Sequence, residues 1–386
     1  MDYFKESLIS HKRRKGKINF DSKVEIKNKD DLSIAYSPWV AEPCKEIVKD
    51  PESAYDYTIK SNTIAVISDG TAVLGLGDIG PLAALPVMEG KCVLLKKFWW
   101  VNAFPLVLDT KDTEEIIKTI KIISPTIGGI NLEDISAPRC FEIENRLKKE
   151  LDIPVFHDDQ HGTAIICLAG LINSLKIVGK NIKDTKVVIN GVWAAGIAIA
   201  ELFIAYGVKD IIMVDSKGVI YKGRDSLNPI KEMIADMTNT ACTLDADHQD
   251  CIKWWLDTAV RGRDVFVWVS VWGILTQEMV RSMNEYPIIF AMANPIPEIM
   301  PKDAKQAGAK IIATWRSDFP NQLNNVLVFP GIFKGALTHR VKDITQDMQI
   351  KAAVALANYV KNPNPDRIIP SVFDEWIADI VADVIR

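Results

Sequence analysis

The second half of the chain alternates short β-branched runs with helix-like segments, and this alternation restricts the fold more than any other feature of the sequence. Strands joined by helical crossovers form a parallel sheet that is covered by helices on both faces. The predicted strands are residues 186–190, 210–215, 264–270, 287–294 and 310–314. The sequence therefore predicts an α/β protein with a doubly wound parallel sheet of the Rossmann type.

The first half has a different organisation. Residues 1–160 mix short helices with apolar runs and end in a buried strand that runs into a polar turn. Apolar residues at helical spacing follow over 161–179, and the stretch from about residue 341 is also helix-like. A chain of 386 residues can hold two domains. We expect an N-terminal mixed α/β catalytic domain over 1–160 and a Rossmann-type domain with C-terminal helices over 161–386.

The first strand of the predicted sheet enters the turn Gly191-Val-Trp-Ala-Ala-Gly196, and a helix follows at once. Such a turn places a pyrophosphate at the helix N-terminus, and an acidic residue about 20 positions further on binds the ribose hydroxyls. Asp215, at the end of the next strand, fits the second role. Trp193 stands where a glycine normally lets the backbone approach the phosphates. We predict an NAD(P) site here, and a turn without a ligand is the alternative.

An earlier segment, Gly75-Leu-Gly-Asp-Ile-Gly80, satisfies the same glycine spacing. Pro81 follows it, and no acidic residue ends a strand about 20 positions later. We therefore reject it as the cofactor turn. Its glycines are expected to let the backbone pass close to a neighbouring loop or to a substrate.

Two acidic pairs, Glu133-Asp134 and Asp158-Asp159, each follow an apolar segment where a loop is predicted. Carboxylates that converge repel one another unless a cation neutralises them, and an all-oxygen ligand set suits Mg²⁺ or Mn²⁺ better than zinc. Spacing alone also allows a helix cap or a solvated turn. His157 and His161 flank the second pair, and we interpret both as structural.

Lys91 begins an apolar run, and Tyr36 lies in the segment Ser-Ile-Ala-Tyr-Ser-Pro. A lysine that is partly buried beside a cation has a lowered pKa and acts as a base near neutral pH. The alternative is a lysine that extends to solvent from the end of a strand. Local sequence gives Tyr36 no role beyond that of an ordinary core or turn residue.

Charge and cysteine usage exclude several classes of protein. A net charge of −4 without a strongly basic face argues against a nucleic-acid partner. No uninterrupted apolar run reaches the ~18–20 residues of a membrane helix, and the N-terminus lacks an apolar signal core. The six cysteines show no paired spacing, which is typical of reduced thiols. We expect a cytoplasmic protein.

The chain resembles the bacterial-type malic enzymes over nearly its whole length, because several long segments match that family in the same order along the sequence. The matching segments are residues 35–44, 66–81, 84–91, 128–135, 154–164, 292–299 and 316–337. The resemblance implies oxidative decarboxylation of malate to pyruvate and CO₂, with NAD or NADP as cofactor, Mg²⁺ or Mn²⁺ as metal, and a homodimer as the assembly.

The resemblance also assigns roles to single residues. Lys91 takes the C2 hydroxyl proton of malate with Asp158 beside it, and Tyr36 protonates the substrate carbon after CO₂ is lost. The metal ligands are Glu133, Asp134 and Asp159. The substrate-binding residues are Asn294, Asn325 and Asn324. The expected cofactor-binding residues are Gly191, Trp193, Ala194, Ala195, Gly196, Asp215, Ser270 and Asn294.

Asp215 bears on the choice between NAD and NADP. An acidic residue here accepts hydrogen bonds from ribose hydroxyls and repels a 2′-phosphate, which favours NAD. Ser216 and Lys217 follow it and could accommodate the phosphate.

Five tryptophans occupy positions where the resembling family usually has glycine: Trp39, Trp100, Trp193, Trp268 and Trp315. Our hypothesis is that UGA codons, read as glycine in a few lineages, have been translated as tryptophan. The chain has 21 glycines in 386 residues, about 5%, which is below the usual content of about 7%. Replacing all ten tryptophans with glycine gives 31 glycines, about 8%.

Two other interpretations remain open. If the tryptophans are real, the chain could be an impaired relative that acts as a binding or regulatory subunit. The second interpretation is that the chain is a different metal-assisted decarboxylase or 2-hydroxy-acid dehydrogenase on the same fold.

Overall fold

The computed structural model describes residues 3–73, 75–239, 255–268, 273–294 and 296–386. Its first sheet has four parallel strands in the order β2-β1-β3-β4. All six residues of β1, Thr-Ile-Ala-Val-Ile-Ser, are buried, as expected for a parallel strand that is covered on both faces. The strands are β1 (Thr63–Ser68), β2 (Asn102–Val107), β3 (Gly129–Leu132) and β4 (Val155–His157).

The second sheet has the order β10-β9-β8-β5-β6-β7, parallel except for the short β6–β7 hairpin. From β5 the chain turns first to one side of the sheet and then to the other, so a topological switch point lies between β5 and β8. The strands are β5 (Lys186–Asn190), β6 (Asp210–Asp215), β7 (Gly218–Val219), β8 (Val265–Trp268), β9 (Ile288–Ala291) and β10 (Ile311–Thr314). The predicted α/β, doubly wound architecture is confirmed.

Sixteen α-helices lie in the described part of the chain. They are α1 (Tyr3–Arg14), α2 (Lys29–Ala35), α3 (Ala41–Lys49), α4 (Ala54–Tyr57), α5 (Pro81–Trp99), α6 (Thr113–Ile123), α7 (Arg139–Glu150), α8 (Asp158–Val178), α9 (Ala194–Tyr206), α10 (Pro229–Met237), α11 (Leu256–Ala259), α12 (Gln277–Arg281), α13 (Pro301–Gln306), α14 (Phe329–Thr338), α15 (Gln346–Tyr359) and α16 (Ile377–Ala382). The prediction of helix after residue 341 is thus confirmed for α15 and α16.

One local prediction and one alternative interpretation were wrong. Strand β4 does not run into a polar turn, because α8 begins at Asp158 and both aspartates belong to its first turn. Lys91 lies in the middle of α5 and not at a strand end. At Asp158 a helix begins directly where the sequence suggested a turn. Pro81, which is favourable in the first turn of a helix, marks the start of α5 well before Lys91.

Helix α8 is long and apolar enough to cross a membrane by length and composition, and most of it is buried inside the protein. It packs between α9 and α15, and Gly179 ends it in the left-handed conformation. It is thus a core helix whose first turn holds Asp158 and Asp159 directly after the end of β4.

Candidate functional site

The two acidic pairs predicted from the sequence lie together. Glu133 and Asp134 follow β3, Asp159 follows the neighbouring strand β4, and one carboxylate oxygen of each lies within 4.8 Å of the others. The Asp134 backbone N–H donates to Asp159 Oδ2 at 2.8 Å. The Asp158-Asp159 pair does occupy a helix N-terminus, where negative charge is favourable, but its carboxylates also join a cluster.

Burial makes this cluster costly unless a cation shares it. Glu133 is buried. Its burial is the main cause that raises its pKa to about 7, and repulsion from Asp159 is the second. Asn131 Nδ2 donates to Glu133 Oε2 at 2.8 Å and fixes the orientation of that carboxylate. Three carboxylates within reach of one point form an all-oxygen donor set, so the residues fit Mg²⁺ or Mn²⁺.

Lys91 contacts the same cluster from α5. Its Nζ lies 2.9 Å from Glu133 Oε1, forms an ion pair with Asp158, and sits 4.4 Å from the centroid of the Phe329 ring. Burial alone would lower the pKa of Lys91, but the charges of Asp158 and Glu133 outweigh it and raise the pKa above its usual value. The expectation of a lowered pKa assumed a neighbouring cation, whereas the carboxylates of Asp158 and Glu133 dominate the charge around the ammonium.

Gly162 gives the Asp158 carboxylate its space. A Cβ built on Gly162 would overlap Asp158 Oδ1 and would lie 3.1 Å from the Asn325 Cβ. Gly162 lies one turn after Asp158 in α8, so the close approach is imposed by the helix itself. This contact also shows that Asn325 lies beside the Lys91–Asp158 pair.

We therefore expect Gly162→Ala to displace the Asp158 carboxylate from Lys91, lowering kcat by about 10²-fold, the usual cost of misplacing a catalytic group by about 1 Å. The matched control is Gly90→Ala, also within a helix, where the nearest atom to a new Cβ is Lys17 Nζ at 3.5 Å. Steady-state rates of both variants are the measurement. Equal activities would show that the Asp158 position is not restricted.

The cofactor turn opens onto the same cleft as the carboxylates. Trp193, Ala194 and Ala195 share a cleft of about 450 Å³ with Asp134 and Asp159. Trp193 is the N-cap of α9, has extended backbone (φ −116°, ψ −175°) and is 61% exposed. Gly191 has φ +120° and Gly196 is buried within α9, so the turn and the helix have the predicted geometry.

The rejected glycine segment lies across this cleft. Gly75 has φ +74°, and a Cβ on it would lie 2.7 Å from the Asn294 carbonyl oxygen. Gly75, Gly77 and Asn294 all line the cleft. Gly75 therefore lets its loop pass against the loop that carries Asn294, as predicted for this segment.

Asp215, at the end of β6, is held by two cations. Arg224 donates to both of its carboxylate oxygens, Nη1 to Oδ1 at 3.0 Å and Nη2 to Oδ2 at 2.5 Å, and Lys231 Nζ donates to Oδ2 at 2.6 Å. Burial alone would raise the pKa of Asp215, but these hydrogen bonds lower it to about 2. The predicted ribose residue is therefore an anion whose charge is already compensated. Ser270, the other predicted contact on this side, lies outside the described residues.

The remaining predicted residues are not all in the cleft. Asn324 Oδ1 accepts from the Val326 N–H at 2.9 Å and caps a short 3-10 helix, so its side chain is structural here. Tyr36 follows α2, is 70% exposed, and is not among the described residues that line the cleft.

Two buried glutamates near the site escaped the sequence analysis. Glu144 on α7 accepts from the His157 backbone N–H at 3.1 Å and contacts His161 Nε2 at 2.9 Å, which fixes the start of α8. Glu298 accepts from the Ala293 N–H at 2.9 Å beside Asn294, and burial raises its pKa to about 8. The local sequence does not single out either glutamate, because its role depends on contacts that form only in the folded chain. His157 lines the cleft, and burial lowers its pKa to about 4.

Several tryptophans occupy positions that disfavour an indole. Trp100 has a left-handed backbone (φ +61°) at the end of α5, and Trp376 has φ +64°. Bulky residues are rare in this region, where glycine is favoured. Trp268 is 1% exposed, and its indole N–H has no hydrogen-bond partner in the described part of the chain. These observations favour the hypothesis that tryptophan stands for glycine.

Comparison with known proteins gives matches of one kind along nearly the whole chain. Residues 14–148 match the malic enzyme N-terminal domain and residues 160–385 match the malic enzyme NAD-binding domain. The chain is 55% identical to a bifunctional malic/malolactic enzyme of Bacillus subtilis, covering 100% of this chain and 92% of the relative. It is also 55% identical to an NAD-dependent malic enzyme of Geobacillus stearothermophilus (96% and 76% covered). The crystal structure of an NAD-dependent malic enzyme from Thermotoga maritima superimposes with a TM-score of 0.93 at 45% identity, covering 98% of each chain. The chain belongs to the malic enzyme family.

Proposed function

We propose that the chain catalyses the oxidative decarboxylation of malate to pyruvate and CO₂ with reduction of NAD or NADP. The observation that carries this is a single cleft in which the dinucleotide turn faces Asp134 and Asp159, with Lys91 set against Glu133 and Asp158 of the same carboxylate cluster. The relatives that support it include both NAD- and NADP-dependent malic enzymes.

Lys91 Nζ is the group placed to take the C2 hydroxyl proton of malate. Asp158 holds the ammonium form that results, and the face of the Phe329 ring restricts where Nζ can lie. Glu133, Asp134 and Asp159 would hold Mg²⁺ or Mn²⁺, which supplies Lewis-acid polarisation of the C2 oxygen and offsets the negative charge around Lys91. We assign the orientation of the substrate carboxylates to Asn325, which is buried beside Asp158, and to Asn294, which lines the cleft.

Labelled malate tests this reaction. With Mn²⁺ and NAD, malate labelled with ¹³C at C4 is expected to release labelled CO₂ and to yield one pyruvate for each reduced cofactor. Malate labelled at C1 should retain its label in pyruvate. Lactate with no net reduced cofactor, the malolactic outcome, would contradict an oxidative reaction.

For the cofactor we propose that both NAD and NADP are accepted. Asp215 alone would repel a 2′-phosphate, but Arg224 and Lys231 give this group of three side chains a net positive charge. The preference for NAD that an isolated aspartate gives is therefore weakened by its partners.

Arg224→Gln is expected to lower kcat/KM for NADP about 10-fold more than for NAD, because the 2′-phosphate loses a cation and faces a less compensated Asp215. Lys222→Gln is the matched control, since Lys222 pairs with Asp236 on the surface. Kinetics with both cofactors provide the measurement. An equal effect on both cofactors would show that Arg224 does not contribute to the choice.

We further propose that the protein acts in the cytoplasm as a homodimer, without a nucleic-acid or membrane partner. The support is the mildly acidic composition and the exposed apolar side chains near the N-terminus, such as Leu32 and Ile34.

A further inference from the structure

The loop that follows β9 carries Asn294 to the cleft. Strand β9 ends at Ala291, and the Met292 N–H donates to the carbonyl oxygen of Trp268 at the end of β8 at 3.3 Å. Met292, Ala293 and Asn294 all line the cleft that the cofactor turn and the carboxylates share. The Met292 hydrogen bond fixes the start of the loop, so the position of Asn294 depends on further contacts.

Glu298 supplies one of these contacts. Its Oε1 accepts from the Ala293 N–H at 2.9 Å, and its side chain is only 1% exposed. Ala293 is buried as well, so the carboxyl satisfies a backbone donor that would otherwise lack a partner. Glu298 is not among the described residues that line the cleft, and it therefore acts on Asn294 through the backbone of the preceding residue.

The Glu298 carboxyl is held in its neutral form. Its Oε2 is buried and has no hydrogen-bond partner in the part of the chain that the structure describes. A buried carboxylate without a compensating partner takes up a proton, and burial raises the pKa of Glu298 to about 8. Because Oε1 accepts from Ala293, the proton resides on Oε2. A glutamine here would therefore match the shape, the charge and the acceptor of Glu298 at neutral pH.

Gly75 restricts the same loop from the first sheet. Gly75 follows β1, whereas Asn294 follows β9 of the second sheet. A Cβ built on Gly75 would lie 2.7 Å from the Asn294 carbonyl oxygen, so the two backbones are in direct contact. The backbone around Asn294 is thus restrained by Glu298 and by Gly75 together.

We propose that Glu298 is a positioning residue for malate: by accepting from Ala293 it fixes the loop against Gly75 and keeps Asn294 in place before the substrate binds. The proposal rests on the malate chemistry and on the role of Asn294 proposed above. A loop that occupies the competent position only part of the time lowers the apparent substrate affinity by that fraction, while the saturated enzyme still turns over. Loss of the Glu298 contact should therefore raise KM far more than it lowers kcat.

Three substitutions of Glu298 test this split. Glu298→Leu offers no acceptor, and Glu298→Asp has a carboxyl that is too short to reach the Ala293 N–H. Both are expected to raise KM for malate about 10-fold and to change kcat less than about 2-fold, whereas Glu298→Gln should keep both within about 2-fold. An unchanged KM in Glu298→Leu, or in Glu298→Asp if the leucine variant does not fold, would overturn the proposal. So would a rise in Glu298→Gln equal to that in Glu298→Asp.

Val280→Ala is the control for a general loss of stability. Val280 is fully buried on α12 and is not among the described residues that line the cleft. This variant should have a lower melting temperature and an unchanged KM for malate. A rise in KM like that of Glu298→Leu would show that Glu298 acts through stability alone.

Two glycines allow a matched test of the contact from the first sheet. Gly75 and Gly77 have the same left-handed backbone, with φ +74° and +76°, but a Cβ on Gly77 would meet nothing within 4 Å. Alanine therefore costs similar backbone strain at both positions and displaces Asn294 only at Gly75. Gly75→Ala should raise KM for malate about 5-fold more than Gly77→Ala. Equal effects would contradict the restraint by Gly75.

Hydrogen exchange tests the loop without requiring activity. In peptides that cover residues 288–298, the amide of Ala293 should exchange about 10-fold faster in Glu298→Leu than in the unmutated protein, and Glu298→Gln should match the latter. Equal exchange in all three would overturn the proposal. If the unmutated protein does not turn over malate, the proposed function is wrong, and exchange still decides whether Glu298 fixes the loop.

Discussion

Changing Lys91 to methionine is expected to lower kcat for malate at least about 10³-fold, because a positioned general base commonly contributes 10²–10⁴-fold and Lys91 also balances the carboxylate cluster. The same change leaves Glu133 and Asp158 buried without their shared ammonium. Removing one partner of a buried ion pair costs about 3–5 kcal/mol. Rates and thermal unfolding of the variant are the two measurements.

The stability loss should depend on pH and on metal. Burial already raises the pKa values of Glu133 and Asp158 to about 7, and without Lys91 they rise further. A raised pKa in the folded state stabilises the protein at low pH and loses that effect as pH rises, so the variant should be least stable above pH 7. Mn²⁺ should restore its melting temperature without restoring its activity. If the melting temperature of the variant depends on neither pH nor Mn²⁺, Lys91 does not neutralise the carboxylate cluster as described.

Lys96→Met is the matched control for this prediction. Lys96 lies on the same helix, but its Nζ contacts Asn102 Oδ1 at 2.7 Å on the exposed surface. We expect its rate and its response to Mn²⁺ to match those of the unmutated protein.

Changing Trp193 to glycine is expected to lower KM for NAD at least about 10-fold, which corresponds to ~1.4 kcal/mol of cofactor binding. The indole lines the cleft at the N-cap of α9, where the backbone must approach the pyrophosphate. Cofactor titration by protein fluorescence or calorimetry measures this directly.

Trp255→Gly is the control, because Trp255 is also an extended N-cap residue with 60% exposure but is not among the described residues that line the cleft. Equal cofactor affinity of the Trp193→Gly variant and the unmutated chain would show that the turn tolerates an indole. A UGG triplet at codon 193 of the source gene would separately rule out the decoding hypothesis.

Periodic and local features of the fold could be predicted from the sequence. Strands β5 and β6 coincide with the predicted runs 186–190 and 210–215, because β-branched runs between helical segments have few alternative structures. Strand β9 is shorter than its predicted run, since pairing with β8 ends at Ala291 although apolar residues continue.

Contacts between distant segments could not be predicted in this way. That Lys91 meets Asp158 follows from how α5 packs against β1 and β2, and the sequence analysis left a strand end open as the alternative position of Lys91. The Arg224–Asp215 pair likewise arises only when the chain after β7 folds back on β6. The resemblance assigned Tyr36 to the site, whereas in the structure its side chain is exposed and is not among the described residues that line the cleft.

The most direct test of the central claim compares two versions of the protein for malate-dependent reduction of NAD and NADP with Mn²⁺. One is the chain as written, and the other has glycine at residues 39, 100, 193, 268 and 315. The account predicts that the glycine version forms pyruvate and reduced cofactor in equal amounts, and at a higher rate than the chain as written. If neither version turns over malate, oxidative decarboxylation of malate is not the function of this chain.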